Sequence, residues 1–422
     1  MGDRLAPGFI DWRSKGMPAG QRAHSREDLS ACGWRVTRDE LMLPVAVLRQ
    51  SALRHNSDWM RRFTALTGVR IAPHGKTSMS PELFAMQMAD GAWGMTAATP
   101  SHVRIYREFG LSRILLANQL VGRQAIAYVA GELARDPELD FYCLVDSARG
   151  LDLLEAGLAE TPAGRPLQLL IELGYAGGRS GVRDDAEALG LARRIAAPPW
   201  LSLRGIEAFE GIVQGHNGDE ADVSGLLHRI RSLGEAALGE GLFDGRPILS
   251  AGGSAFFDLV ADQLSAPAFD VVLRSGCYLV HDSRFYRDLI ERLTMRSPAA
   301  ASLGDGLRPA LEIWAHLLSR PEPTRAIVGM GKRDAGHDVA PPVPLGWCRP
   351  ELGETVHPLQ GHKVVRLDDQ HAYLDVPADS PLQAGDIMSF GISHPCTTFD
   401  KWRTLFVVDD ELTVVDAVET WF

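Results

Sequence analysis

The segment VRIAPHGKTSM (69–79) sets one lysine apart by its neighbours. Lys76 follows an apolar run ending at Pro73, and Gly75 frees the backbone beside it. An amine just past the end of a strand, once desolvated, loses its preference for the ammonium form and becomes a nucleophile toward aldehydes. By position alone Lys76 reads first as an exposed loop lysine. Two glycine-rich turns far downstream favour chemistry: SAGGS (250–254) and RSGCY (274–278). Backbone N–H groups in such turns cradle phosphates. Gly252, Gly253, Ser254, Ser275, Gly276 and Cys277 are therefore candidate binders of pyridoxal 5'-phosphate on a Schiff-base Lys76, although each turn alone also reads as an ordinary connection. A third group is SHPCTTFD (393–400), in which an extended chain would send His394 and Cys396 to one side. Imidazole plus thiolate suits zinc better than magnesium, calcium or manganese, and two protein ligands leave places for water and substrate. The alternative is a buried cysteine beside a structural histidine.

These residues need elements to hold them. Between about residues 68 and 275, apolar runs alternate with stretches of helical spacing. The expected strands are Val69–Pro73, Ala92–Thr96, Arg113–Ala117, Phe141–Val145, Leu167–Leu173, Leu203–Phe209, Pro247–Ser250 and Phe269–Leu273, with residues 45–67 as a preceding helix. Eight such units predict an α/β fold, a (β/α)₈ TIM barrel, with an open doubly wound sheet as the competitor. In a barrel, both glycine turns and Lys76 share the face where active sites are built. After about residue 300 the texture becomes short alternating strands broken by Pro and Gly, as expected of an all-β domain. The expected division is 40–290 for the barrel and 291–422, joined by 1–39, for the β-domain.

Bulk properties exclude several classes. The net charge of -11 and the lack of a basic stretch argue against nucleic acid. No run reaches the roughly 18 apolar residues of a membrane span. Five scattered cysteines make a disulfide framework improbable, and a cytoplasmic location is expected.

Taken together, the motifs resemble the fold-type III pyridoxal-phosphate enzymes, specifically the D-serine dehydratase and D-threonine aldolase family, whose barrel is alanine racemase-like. PHGKT is similar to that family's lysine motif. GGRSGV (177–182) resembles the segment whose arginine, here Arg179, lies near the cofactor's phenolic oxygen. DDQHAYL (368–374) looks like a further family segment, and SHPCTTFD resembles the metal motif. The resemblance implies a homodimer with the active site between barrel and β-domain. It also implies zinc where the second ligand is cysteine, as in the dehydratases, and manganese or another divalent metal in aldolases. One departure is Phe209 in GIEAFEG (205–211), where the family commonly has tyrosine; Glu207 and Glu210 beside it read as exposed loop carboxylates. GMGKRDAGHD (329–338) contains a stretch common in aldolases, without an assignable role.

The resulting expectation is a lyase that dehydrates and deaminates a D-3-hydroxy amino acid, D-serine most simply. Lys76 would act as base, His394 and Cys396 as metal ligands, and His74, Arg179 or Asn118 as binders of cofactor or substrate. A D-threonine-type aldolase is the nearest alternative. A racemase, a non-catalytic pyridoxal-phosphate-binding protein and a zinc hydrolase lacking that cofactor are more remote.

Overall fold

A computed structural model describes residues 9–21, 23–212, 220–283 and 292–422; the remaining residues of the expected 1–39, 40–290 and 291–422 units lie outside it. Eight strands, Arg70–Ile71, Met95–Ala97, Arg113–Gln119, Asp140–Val145, Leu167–Leu173, Leu201–Ala208, Ile248–Ala251 and Asp270–Leu273, form one parallel sheet. The last strand pairs with the first, Val272 opposite Arg70. A parallel bridge between His74 and Thr96 then joins the first to the second, closing the ring. That closure decides for a barrel over an open sheet.

Strand residues alternate faces. Ala72, Leu115, Tyr142, Leu144, Leu170, Ile248 and Val272 form a separate small core, filling the barrel interior. Their neighbours in sequence, such as Ile114, Leu116, Leu169 and Ile171, belong to the larger core shared with the helices outside. Those helices start on ordinary signals: Thr99 caps Pro100–Glu108 by accepting from His102 N, and Asp184 caps Asp185–Ala196 by accepting from Glu187 N.

The C-terminal part is antiparallel, built around the long strand Leu311–Glu322, which pairs with Ile387–Gly391 and Arg325–Val328. Val45–Arg49 corrects the sequence expectation. It is a strand of this second sheet, antiparallel to Leu311–Glu322 and parallel to Thr404–Val408, and the helix begins only at Gln50. Its first four residues, VAVL, are fully enclosed, so burial on both faces outweighs the helical spacing that follows. Upstream, Val36 N donates to Leu412 O at 3.1 Å, and Arg26 pairs with Asp416 at 2.6 Å, laying the N-terminal segment against the same sheet. Among the described residues no helix is long and apolar enough to cross a membrane.

Candidate active site

The C-terminal ends of the barrel strands open into a cavity of about 380 Å³. Its lining brings together His74, Lys76, Phe209, Gly253, Ser254, Arg274, Ser275, Gly276 and Cys277 from the barrel with His394 and Cys396 from the β-domain. Arg179 is not among the lining residues; it sits exposed, its guanidinium 5.6 Å from the centre of the Phe209 ring. Asn118 donates to Ala98 O at 3.1 Å and is likewise absent from the lining.

Lys76 lies in a short 3-10 turn, Gly75–Thr77. Two glycines let this turn sit where it does. A Cβ on Gly75 would fall 2.1 Å from the Tyr106 hydroxyl, and one on Gly276 would fall 2.3 Å from His74 O. Larger residues would push the lysine turn from its seat or away from the loop after the last strand. The Lys76 side chain is exposed to the cavity and has no carboxylate partner among the described residues. Beside it, burial pushes the His74 imidazole well below its ordinary pKa, with the positive charges of Lys76 and Arg274 adding to the effect, so the ring stays neutral. His74 Nδ1 is buried without a hydrogen-bond partner.

Glu207 and Glu210 differ from expectation: they are 1% and 0% exposed. Glu210 accepts from Gly252 N at 3.0 Å and from Gly253 N at 2.6 Å. Those two amides are thus committed to a protein carboxylate and do not face a ligand. The amides of Ser254, Ala255, Gly276 and Cys277 make no hydrogen bond to any described residue. Ser275 Oγ reaches back to Gly252 O at 2.9 Å, tying the two loops together. Glu207 forms a buried ion pair with Arg274, whose Nη2 also donates to Ala208 O at 2.7 Å. Arg274 Nε and Glu207 Oε2 remain buried and unpartnered.

Burial pushes the Glu207 carboxyl up to about 7, Arg274 opposing and Glu172 and Glu210 reinforcing it. The folded state therefore holds this proton more tightly than the unfolded chain. Its contribution to stability is complete below the ordinary value of 4.5 and is lost as pH rises through about 7. Melting curves of the cofactor-stripped protein should fall more steeply between about pH 5 and 8 for the wild type than for Glu207→Gln. Parallel pH dependence in the two proteins would contradict this.

His394 and Cys396 meet, but not in the expected geometry. The strand Ile387–Gly391 has ended, Pro395 is helical, and Cys396 opens the helical turn Cys396–Phe399. The turn, not an extended pleat, places imidazole and thiol together; the Cys396 sulfur and then Asp338 raise the His394 pKa to about 9. His394 Nδ1 lies 2.7 Å from Asp338 Oδ2, and Thr397 Oγ1 donates to Asp338 Oδ1 at 2.8 Å. Asp338 explains part of the unassigned 329–338 stretch. The DDQHAYL segment supports it, because Asp368 O and Asp369 O accept from Lys332 N and Arg333 N.

The residues fit a pyridoxal phosphate: an exposed amine, four unused amides around a cavity, a neutral imidazole and orphaned buried polar atoms. They also fit a metal through a soft donor pair whose histidine is oriented by a carboxylate. Among the described residues no group of three or more His, Cys, Asp or Glu side chains is placed to hold an ion, so the protein would supply two donors.

Comparison with known proteins agrees with this architecture. Residues 310–408 match the family model described as a putative serine dehydratase domain. The D-threonine aldolase of an Arthrobacter species is 27% identical over 383 residues, covering 89% of this chain and 90% of that protein. The crystal structure of D-threonine aldolase from Filomicrobium marinum superposes with a TM-score of 0.74 at 24% identity, covering 92% of this chain and 97% of that one. D-threo-3-hydroxyaspartate dehydratase from Delftia sp. HT23 gives 0.68 at 20% identity, covering 90% and 97%. Structures of that enzyme also include a histidine-to-alanine variant and, two positions on, a cysteine-to-alanine variant in a metal-free form. The chain thus shares the barrel-plus-β-domain fold of D-threonine aldolase and of an alanine racemase-like protein, matches a putative serine dehydratase domain over residues 310–408, and is similar in sequence to D-threonine aldolase and D-threo-3-hydroxyaspartate dehydratase.

Proposed function

We propose that this chain is a pyridoxal-phosphate- and zinc-dependent lyase that dehydrates and deaminates a D-3-hydroxy amino acid, D-serine being the simplest. The observation that carries the reading is the single cavity lined by Lys76 from the barrel and by His394 and Cys396 from the β-domain. Bound pyridoxal phosphate supplies an electron sink for the pair left at the substrate α-carbon, and zinc a Lewis acid for a poorly departing hydroxyl. The protein does the rest. Lys76 Nζ holds the cofactor aldehyde and, when free, takes the α-proton. The amides of Ser254, Ala255, Gly276 and Cys277 hold the phosphate. Neutral His74 offers a hydrogen bond without a competing positive charge. Phe209, against which a Cβ on Gly253 would fall at 2.9 Å, walls the cavity and keeps water from that side.

Glu210 sets the angle of the loop that presents two of those amides. Glu210→Gln keeps its shape but turns an NH₂ group toward one donor. Cofactor affinity should fall by about 10-fold or more, the worth of one hydrogen bond to a charged group. Titration of the stripped protein with pyridoxal phosphate reads this directly, and unchanged affinity would contradict it. Asp338 fixes the His394 ring. Asp338→Asn should lower zinc affinity about 10–100-fold in a competition assay against a coloured chelator; wild-type affinity would argue against the orienting role.

Aldol cleavage is the second reading, favoured by the near full-length likeness to the Arthrobacter D-threonine aldolase. The Delftia variants favour dehydration, since they place a histidine and a cysteine at the spacing of His394 and Cys396. A screen of D- and L-3-hydroxy amino acids, with and without a zinc chelator, tests both. A 2-oxo acid and ammonia formed from D-substrates only, and lost on chelation, is expected. Glycine and aldehyde as the products would overturn dehydration.

A further inference from the structure

Two sulfurs touch inside the cavity. Cys277 Sγ and Cys396 Sγ are 3.5 Å apart, and Thr77 Oγ1 sits against both, at 3.6 Å and 3.5 Å. Cys277 follows the last barrel strand and Cys396 follows a strand of the β-domain, so the pair spans the junction of the two sheets. Both line the open cavity, although Cys277 itself is only 5% exposed. The other cysteines, Cys32, Cys143 and Cys348, are not among the lining residues.

We propose that Cys277 and Cys396 form a reversible disulfide site: when the metal is absent, a peroxide joins them and locks the metal-binding pair out of use. The atoms balance simply. One thiol and hydrogen peroxide give a sulfenic acid and water. The second sulfur then attacks the sulfenic sulfur, the S–O bond breaks, a second water leaves, and the S–S bond forms. Two thiols are oxidised by two electrons, and one peroxide is reduced to two waters. Only a short closing motion is needed, because the sulfurs start in contact, with Thr77 Oγ1 against both. Return to the thiols takes a dithiol reductant. The disulfide consumes the sulfur that the proposed function assigns to the metal, so oxidation and metal loading exclude one another. That last clause rests on the zinc reading; the cross-link does not.

The test uses the full-length protein, stripped of metal or loaded with zinc, and treated with hydrogen peroxide near stoichiometry. Intact mass should drop by two hydrogens in the stripped protein, and peptide mapping under non-reducing conditions should join the Cys277 and Cys396 peptides. Zinc affinity of the oxidised protein should fall by about 100-fold or more and return with dithiothreitol. Zinc-loaded protein should resist the cross-link. Cys277→Ser should form no cross-link and instead gain oxygen at Cys396. Absence of the joined peptide in the oxidised wild type, or the same two-hydrogen mass loss in Cys277→Ser, overturns the proposal. A cross-link that forms in protein unable to bind zinc even when reduced would leave the disulfide site standing and sink the metal reading instead.

Discussion

Lys76→Ala should fold normally, bind pyridoxal phosphate without covalent attachment, and lose turnover by roughly 10⁴-fold, the upper range for a positioned general base. The fold should survive because the side chain is exposed and unpaired; removing it leaves no cavity and no orphaned charge. Cofactor binding should weaken but persist, because the free amides of Ser254, Ala255, Gly276 and Cys277 belong to other loops. The absorption spectrum should change from that of an imine to that of a free aldehyde. Turnover within tenfold of wild type would remove Lys76 from the chemistry.

Cys396→Ala separates the two halves of the site. The cavity wall beside the lysine turn loses one sulfur, while Lys76, His74 and the free amides of the two glycine turns are untouched. The variant should keep its bound cofactor's colour, lose stoichiometric zinc, and lose elimination activity by about 10²–10³-fold, which corresponds to several kcal/mol of Lewis-acid assistance. A fully active, metal-free variant would sink the zinc role.

The sequence was informative where one strand or turn carries its own signal. Apolar runs bounded by turns located all eight barrel strands to within a few residues, and Leu167–Leu173 matched as written. Lys76, the two glycine turns and the His394–Cys396 pair were visible as short motifs, and the structure gathers them around one cavity. What escaped notice depends on partners far along the chain. Val45–Arg49 runs straight into a helix, and only its pairing with Leu311–Glu322 and Thr404–Val408 makes it a strand. The strand Val343–Cys348 was hidden by its Pro344 and Gly346, which bound a register shift opposite Ile387–Gly391.

The same holds for site residues. Glu210 reads as a loop carboxylate until the fold carries Gly252 and Gly253 over it. Asp338 acquires a role only when His394, 56 positions away, is brought within hydrogen-bond reach. Arg274 opens a recognised turn, yet its buried pairing with Glu207 needs the strands Leu201–Ala208 and Asp270–Leu273 brought close on either side of Ile248–Ala251. Arg179 shows the converse: a family-like motif placed it on the cofactor, and here it stacks on Phe209 outside the lining. With phenylalanine at that position the wall offers a ring face and no hydroxyl, and the polar groups the barrel brings to the lining include His74, Lys76, Ser254, Arg274 and Ser275.

Borohydride reduction of the intact holoprotein, followed by peptide mass mapping, tests the central claim most directly. A single pyridoxyl group on Lys76 is the predicted result. Colourless protein with no adduct, or an adduct on a lysine outside the cavity, would contradict it.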